Sequence, residues 1–116
     1  MTQRLRADFW VAALLRRCNS EGAPAMLRRR GAAEAGAILI VIDNLVGGLA
    51  LFGPAPPSEM VEFDGDRKFI SLHKEPLIDS AAIEQRLARQ LSFDPDIWIV
   101  EIEDRRGRSF FELAAA

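Results

Sequence analysis

FDPDIWIVEIEDRRGRSFF, residues 93–111, joins a helix stop, a buried strand and a tight turn in one stretch. Asp94-Pro95-Asp96 ends any helix that precedes it, because proline cannot donate the helical hydrogen bond and pushes the residue before it out of the α region. A strand then begins at Ile97. Trp98, Val100 and Ile102 share one face of a period-two ladder, while Ile97, Ile99, Glu101 and Glu103 share the other. The first face is core; the second starts apolar and runs out into water at its charged end. Arg105-Arg106-Gly107 offers a polar turn, and Ser109–Leu113 is expected to return as the antiparallel partner of this strand.

Upstream, Asp79 or Ser80 caps a helix that runs to about Ser92, with Ile83, Leu87, Leu91 and Phe93 as its apolar stripe. An earlier helix is expected over Ala7–Ser20, where Val11, Leu14, Leu15 and Cys18 recur at helical spacing before residues 19–24 stop it. Ala25–Arg30 reads as a first strand, with Met26 and Leu27 on opposite sides, and Gly31–Gly36 as a flexible connector. AILIVID, residues 37–43, is apolar on both faces and rich in β-branched residues, the pattern of a central strand. Asn44–Gly48 then turns the chain and Leu49–Phe52 returns as a hairpin partner. Residues 53–66, GPAPPSEMVEFDGD, form a long loop of the kind that often carries function. Arg67–His73 makes another strand, with Phe69 and Ser71 opposing Ile70 and Leu72. The expected architecture is a single α+β domain over residues 1–116, a mainly antiparallel sheet of about five strands with two helices packed on it, gathered on one face.

The 116 residues are 49% apolar and 28% charged, an ordinary globular balance. A chain of this length buries roughly two thirds of the surface its unfolded form exposes. No stretch approaches the ~20 apolar residues that span a bilayer, so no membrane association is expected. The start, MTQRLRADFWVAALLRRC, superficially resembles a signal peptide, but its apolar run over residues 9–15 is preceded by Asp8 and closed by Arg16-Arg17. The single cysteine, Cys18, excludes an intrachain disulfide or a multi-cysteine zinc site and suits a reducing, cytoplasmic compartment. Charge is unevenly spread: seven arginines against Asp8 and Glu21 give residues 1–30 a local +5, which leaves −7 for the rest of a chain whose net charge is −2. Two readings are open, a basic binding surface or two halves that face each other within one fold.

Motifs that carry chemistry are absent. No nucleophile elbow, Walker loop, dinucleotide fingerprint, zinc-protease helix or EF-hand spacing occurs. Cys18 lies on an apolar helix stripe with no histidine near it in sequence, and reads as a small core residue. The one histidine, His73, closes a strand and reads as a partly exposed side chain, since no local sequence supports a triad around it. Asp64-Gly65-Asp66 lacks the further oxygen ligands of a calcium loop. No cofactor or metal is expected. Two constellations remain. Arg16, Arg17, Arg28 and Arg30 could share a surface that binds phosphate or carboxylate, if the first helix packs beside the strand that follows it. The alternative for these arginines is solvation of a helix end and the sheet rim. Asp94 and Asp96 could form a carboxylate pair in a pocket near Trp98, or cap the turn around Pro95.

DFWVAALLRRC (8–18), RRRGAAEAGAI (28–38), LFGPAP (51–56) and FDPDIWIVEIEDRRGR (93–108) together resemble a family of short alphaproteobacterial proteins known only as domain of unknown function 1491. The resemblance spans nearly the whole chain in order, except for residues 57–82. It implies a bacterial cytoplasmic protein and carries no activity, substrate or cofactor with it. Three functional readings follow. The leading one is a non-enzymatic cytoplasmic binding or protein-interaction module, a homodimer among its forms, because an open sheet has edges and exposed faces to offer. The second is nucleic-acid or anion binding through the arginines, against which the acidic total charge counts. The third is a small-molecule enzyme with an unrecognised site that uses an arginine beside Asp94, Asp96 or His73.

Overall fold

The computed structural model describes residues 5–56 and 67–114. Residues 57–66 of the long loop, including Asp64-Gly65-Asp66, lie outside them. In chain order the elements are α1 (Ala7–Ser20), β1 (Ala25–Arg29), β2 (Ile38–Asp43), β3 (Leu49–Pro54), β4 (Lys68–Ser71), α2 (Ser80–Phe93), β5 (Trp98–Glu103) and β6 (Glu112–Leu113). The fold is α+β, a mixed but mostly antiparallel sheet of six strands among the described residues, ordered β1-β5-β2-β3-β4-β6, with two helices packed on it.

The sheet is built outward from β2 and β5, which run parallel in register from Ile38↔Trp98 to Asp43↔Glu103. Their alternation is apolar on both sides. Ile38, Ile40, Ile42, Trp98, Val100 and Ile102 face α1, where they bury Val11, Leu14 and Cys18. Leu39, Val41, Ile97 and Ile99 face α2 and bury Ile83 and Leu87 with Leu51. The helices therefore lie on opposite faces, not gathered on one. Two adjacent strands with apolar side chains on both faces need two covers, since each fully buried aliphatic side chain contributes about 1.5–3 kcal/mol only if water is excluded from its own side.

The C-terminal segment also departs from expectation. Ser109–Leu113 does not pair with β5, because both edges of β5 are already hydrogen-bonded, to β1 on one side and β2 on the other. The chain instead carries Phe110 and Phe111 into the α1-side core, and Phe111 packs edge-on against Phe52 and Phe69 at 5.3 and 5.1 Å. Its last two strand residues then join the far edge, parallel to β4. The expected turn does form: Gly107 has φ +64° and donates its N–H to Asp104 O at 2.9 Å. Arg108 closes the turn as a bidentate partner of the buried Asp104, with two 3.0 Å side-chain bonds and a backbone N–H at 2.7 Å.

Gly31–Gly36 is a clamp and not a flexible connector. Trp98, 1% exposed, donates its indole N–H to Ala32 O at 2.8 Å. Ala32 donates its own N–H to Asp96 O at 2.9 Å. The same segment satisfies the start of α1, since Ala7 and Asp8 donate to Glu34 O and Ala33 O at 3.2 and 3.0 Å, where Arg6 supplies no side-chain cap. Glycine is required by close approach: a Cβ on either Gly31 or Gly36 would collide with Asp96 O and stand 2.6 or 2.9 Å from the Trp98 ring.

Two outcomes are expected. Gly36→Ala should destabilise the fold by about 1–3 kcal/mol, read as a lower urea midpoint with Trp98 fluorescence shifted toward that of exposed indole; an unchanged midpoint would show that the segment gives way freely. Hydrogen bonding from Arg108 holds the Asp104 carboxyl below its ordinary range. A carboxyl whose pKa is lower folded than unfolded adds stability that is complete above its unfolded value, near 4, and is lost as pH falls through the folded value. Asp104→Asn should therefore lower stability at neutral pH and flatten its fall below about pH 4, in urea titrations at stepped pH.

Candidate acid-walled cleft and apolar turn

The two sequence-derived constellations are distributed by this fold. Arg16 and Arg17 are exposed on α1, and Arg17 spends one Nη on Phe110 O at 2.6 Å. Arg28 points to the opposite face, where it bonds Glu84 Oε1 of α2 at 2.5 Å and Glu101 Oε1 of β5 at 3.2 Å. Arg30 lies over the Trp98 ring, 5.1 Å from its centroid. The four arginines thus face three different surroundings. At the other constellation, Asp94 caps the turn by accepting the Asp96 N–H at 2.9 Å. Trp98 stands behind Gly31 and Gly36, with the indole edge already packed.

His73 has a structural role that its sequence context does not reveal. Nε2 accepts the Leu51 N–H at 3.0 Å, and Nδ1 lies 2.7 Å from Glu75 O, so that nitrogen carries the proton. The imidazole thereby continues the β3–β4 ladder one step past the end of β4. Cys18 is fully buried and burial pushes its thiol pKa up to about 11, which leaves it protonated and unreactive.

The edge of β1 is blunted for strand addition. Asn19 brackets Ala25, accepting its N–H at 3.1 Å and donating to its carbonyl at 3.2 Å, and the ladder to β5 shifts between Leu27 and Arg29.

What the fold does assemble is a cleft of about 420 Å³ on the α2 face, lined by Met26, Arg28, Asp43, Leu49, Ser80, Glu84 and Glu101. It lies at the C-terminal ends of the parallel pair, beside the start of α2. Glu84 and Glu101 hold the Arg28 guanidinium more firmly protonated, Glu84 chiefly through its hydrogen bond. Asp43 closes β2 and accepts the Leu45 N–H at 2.7 Å. Parallel register sets Glu103 beside Asp43 on this face, and among the described residues neither carboxylate has an ion-pair partner.

Between the two cleft-lining residues Asp43 and Leu49 runs the β2–β3 turn, held by Asn44 Oδ1, which accepts from Val46 and Gly48 at 3.0 and 2.9 Å. Its tip is aliphatic. Leu45 is 44% and Val46 74% exposed, and Leu45 takes a left-handed φ of +67°, uncommon for leucine. Leu77, 49% exposed, packs against this turn, since a Cβ on Gly48 would come within 2.7 Å of Leu77 Cδ1. These residues were not singled out from the sequence, although NLVGG placed two aliphatics inside an evident turn and Asp43 ended an otherwise wholly apolar strand.

Among the described residues no group of three or more His, Cys, Asp or Glu could hold a metal ion, and no helix is long and apolar enough to cross a membrane. No curated protein matches the chain. A crystal structure of a DUF1491 family protein from Caulobacter crescentus is 36% identical, with 95% of this chain and 99% of that one covered and a TM-score of 0.78. A solution structure of an A. tumefaciens protein is 31% identical, covering 98% of each chain with a TM-score of 0.80. The model of the family described as "protein of unknown function (DUF1491)" matches residues 5–112, and this chain accordingly belongs to the DUF1491 family.

Proposed function

We propose that this chain is a non-enzymatic cytoplasmic binding module that docks on another protein through the β2–β3 turn and the cleft beside it. One observation carries the proposal: Leu45, Val46 and Leu77 present aliphatic side chains to water at one end of the sheet. Leu5, Phe9, Met26, Leu27, Phe93 and Leu113 are exposed as well, but none of them stands on a left-handed backbone as Leu45 does. Among the described residues no buried side-chain nitrogen or oxygen lacks a hydrogen-bond partner. An isolated exposed leucine is ordinary, but two adjacent exposed aliphatics, one of them, Leu45, on a left-handed backbone, cost stability twice, in strain and in hydration. A partner that covers them recovers the hydration term. The lone cysteine and the balance of apolar and charged residues support a cytoplasmic setting.

The test is site-specific photo-crosslinking in cells of the native host, with a photoreactive amino acid at Val46 and, as a control, at the exposed polar Arg89 of α2. A discrete polypeptide adduct at Val46 that is missing at Arg89 is expected. Equal yields at both positions, or an adduct to nucleic acid, would contradict the proposal.

A further inference from the structure

Resting on that reading, we infer that the partner presents an amphipathic basic segment, one lysine or arginine of which enters the cleft while its aliphatic neighbours cover Leu45, Val46 and Leu77. Charge complementarity selects this occupant. Asp43, Glu84, Glu101 and Glu103 converge on the cleft end of the sheet, and Arg28 is the one cation among the cleft-lining residues. Arg28 is already committed, bridging Glu84 and Glu101 across β1, α2 and β5. Asp43 and Glu103 are left adjacent and uncompensated, a like-charge neighbour pair that a cation relieves. The start of α2 contributes partial positive charge, but Asp79 sits on it as the cap, accepting the Ala82 N–H at 2.8 Å. An anionic partner would meet carboxylates on β2, α2 and β5, while β1 offers only the already paired Arg28 and β3 only Leu49.

The shape agrees with the charge. Met26 and Leu49 supply an apolar lining for the methylene stem of a long basic side chain, whose charged head reaches the carboxylates. The aliphatic turn lies directly between Asp43 and Leu49, so a segment with a basic residue flanked by aliphatic ones engages both parts at once. A purely hydrophilic polycation would satisfy the carboxylates alone, and a purely apolar segment the turn alone.

The experiment titrates the full chain, labelled with 15N, with three short peptides: alternating leucine and lysine, alternating leucine and glutamate, and alternating serine and lysine. The expected result is binding of the leucine–lysine peptide with shifts at Asp43–Leu49, Leu77–Glu84 and Glu101–Glu103, about tenfold weaker for the serine–lysine peptide and undetectable for the leucine–glutamate peptide. Asp43→Asn with Glu103→Gln should weaken the leucine–lysine peptide about five- to tenfold, with unchanged dispersion of the remaining resonances showing that the fold is kept. Equal binding of both leucine peptides at this face would overturn the cationic inference while leaving the docking proposal standing. Shifts confined to Arg16, Arg17 and the Arg105–Arg108 turn, or no binding by any peptide, would overturn the inference.

Discussion

Every larger feature of this fold answers to one constraint, that two adjacent parallel strands carry apolar side chains on both faces. Ile38–Ile42 and Trp98–Ile102 are buried throughout apart from the half-buried Glu101. Because each face must be kept dry, one helix packs on each. Because β5 is flanked by β1 and β2, the C-terminal segment must seek the opposite edge. Because β3, β4, the β4–α2 loop and α2 lie between β2 and β5 in sequence, the parallel pair closes only after most of the chain has been made.

The two ends of that pair are treated differently. At the Ile38–Trp98 end the chain folds back tightly: glycines 31 and 36 admit the indole, its N–H is satisfied, and the same segment supplies carbonyls to the start of α1. At the Asp43–Glu103 end the chain leaves through the Asp104–Arg108 turn, with the Asp104 N–H donated to Asp43 O at 2.9 Å. The strands finish in carboxylates, the turn between β2 and β3 points leucine and valine outward, and a cleft remains between β1, β5 and the first turn of α2. A tightly packed end gives rigidity to an open one, and a site on a rigid frame loses less entropy when a partner orders it.

The local elements were legible because each carries its own signal. The spacing of Val11, Leu14 and Cys18 marked α1, Asp79 or Ser80 marked the start of α2, where Asp79 is the cap, and AILIVID was apolar on both faces, as a central strand is. That last pattern also implied helices on two faces, a consequence that the expectation of one-sided packing overlooked. The clamp role of residues 31–36 was hidden, since glycine that permits close approach and glycine that permits motion look alike in a sequence. Pairing across the sheet was hidden too: nothing local tells Ser109–Leu113 that β5 has no free edge. The candidate cleft was the least legible part, because Asp43, Glu84 and Glu101 come together only through parallel register and helix placement. The arginines that cluster in the sequence are separated by the same geometry: Arg28 sits at the register shift between Leu27 and Arg29 and bonds Glu84 and Glu101, while Arg30 lies past the end of β1, over Trp98.

The central claim concerns the parallel pair, and native-state hydrogen exchange tests it most directly. If β2 and β5 are covered on both faces and form the last unit to open, the amides of Leu39–Ile42 and Val100–Ile102 should exchange together and only through global unfolding, with free energies equal to that from urea denaturation. The amides of β1, β6 and the 44–48 turn should exchange sooner. Exchange of β5 together with β1, at a free energy well below that of β2, would contradict the account, because the pair would then not be the element on which the rest of the structure depends.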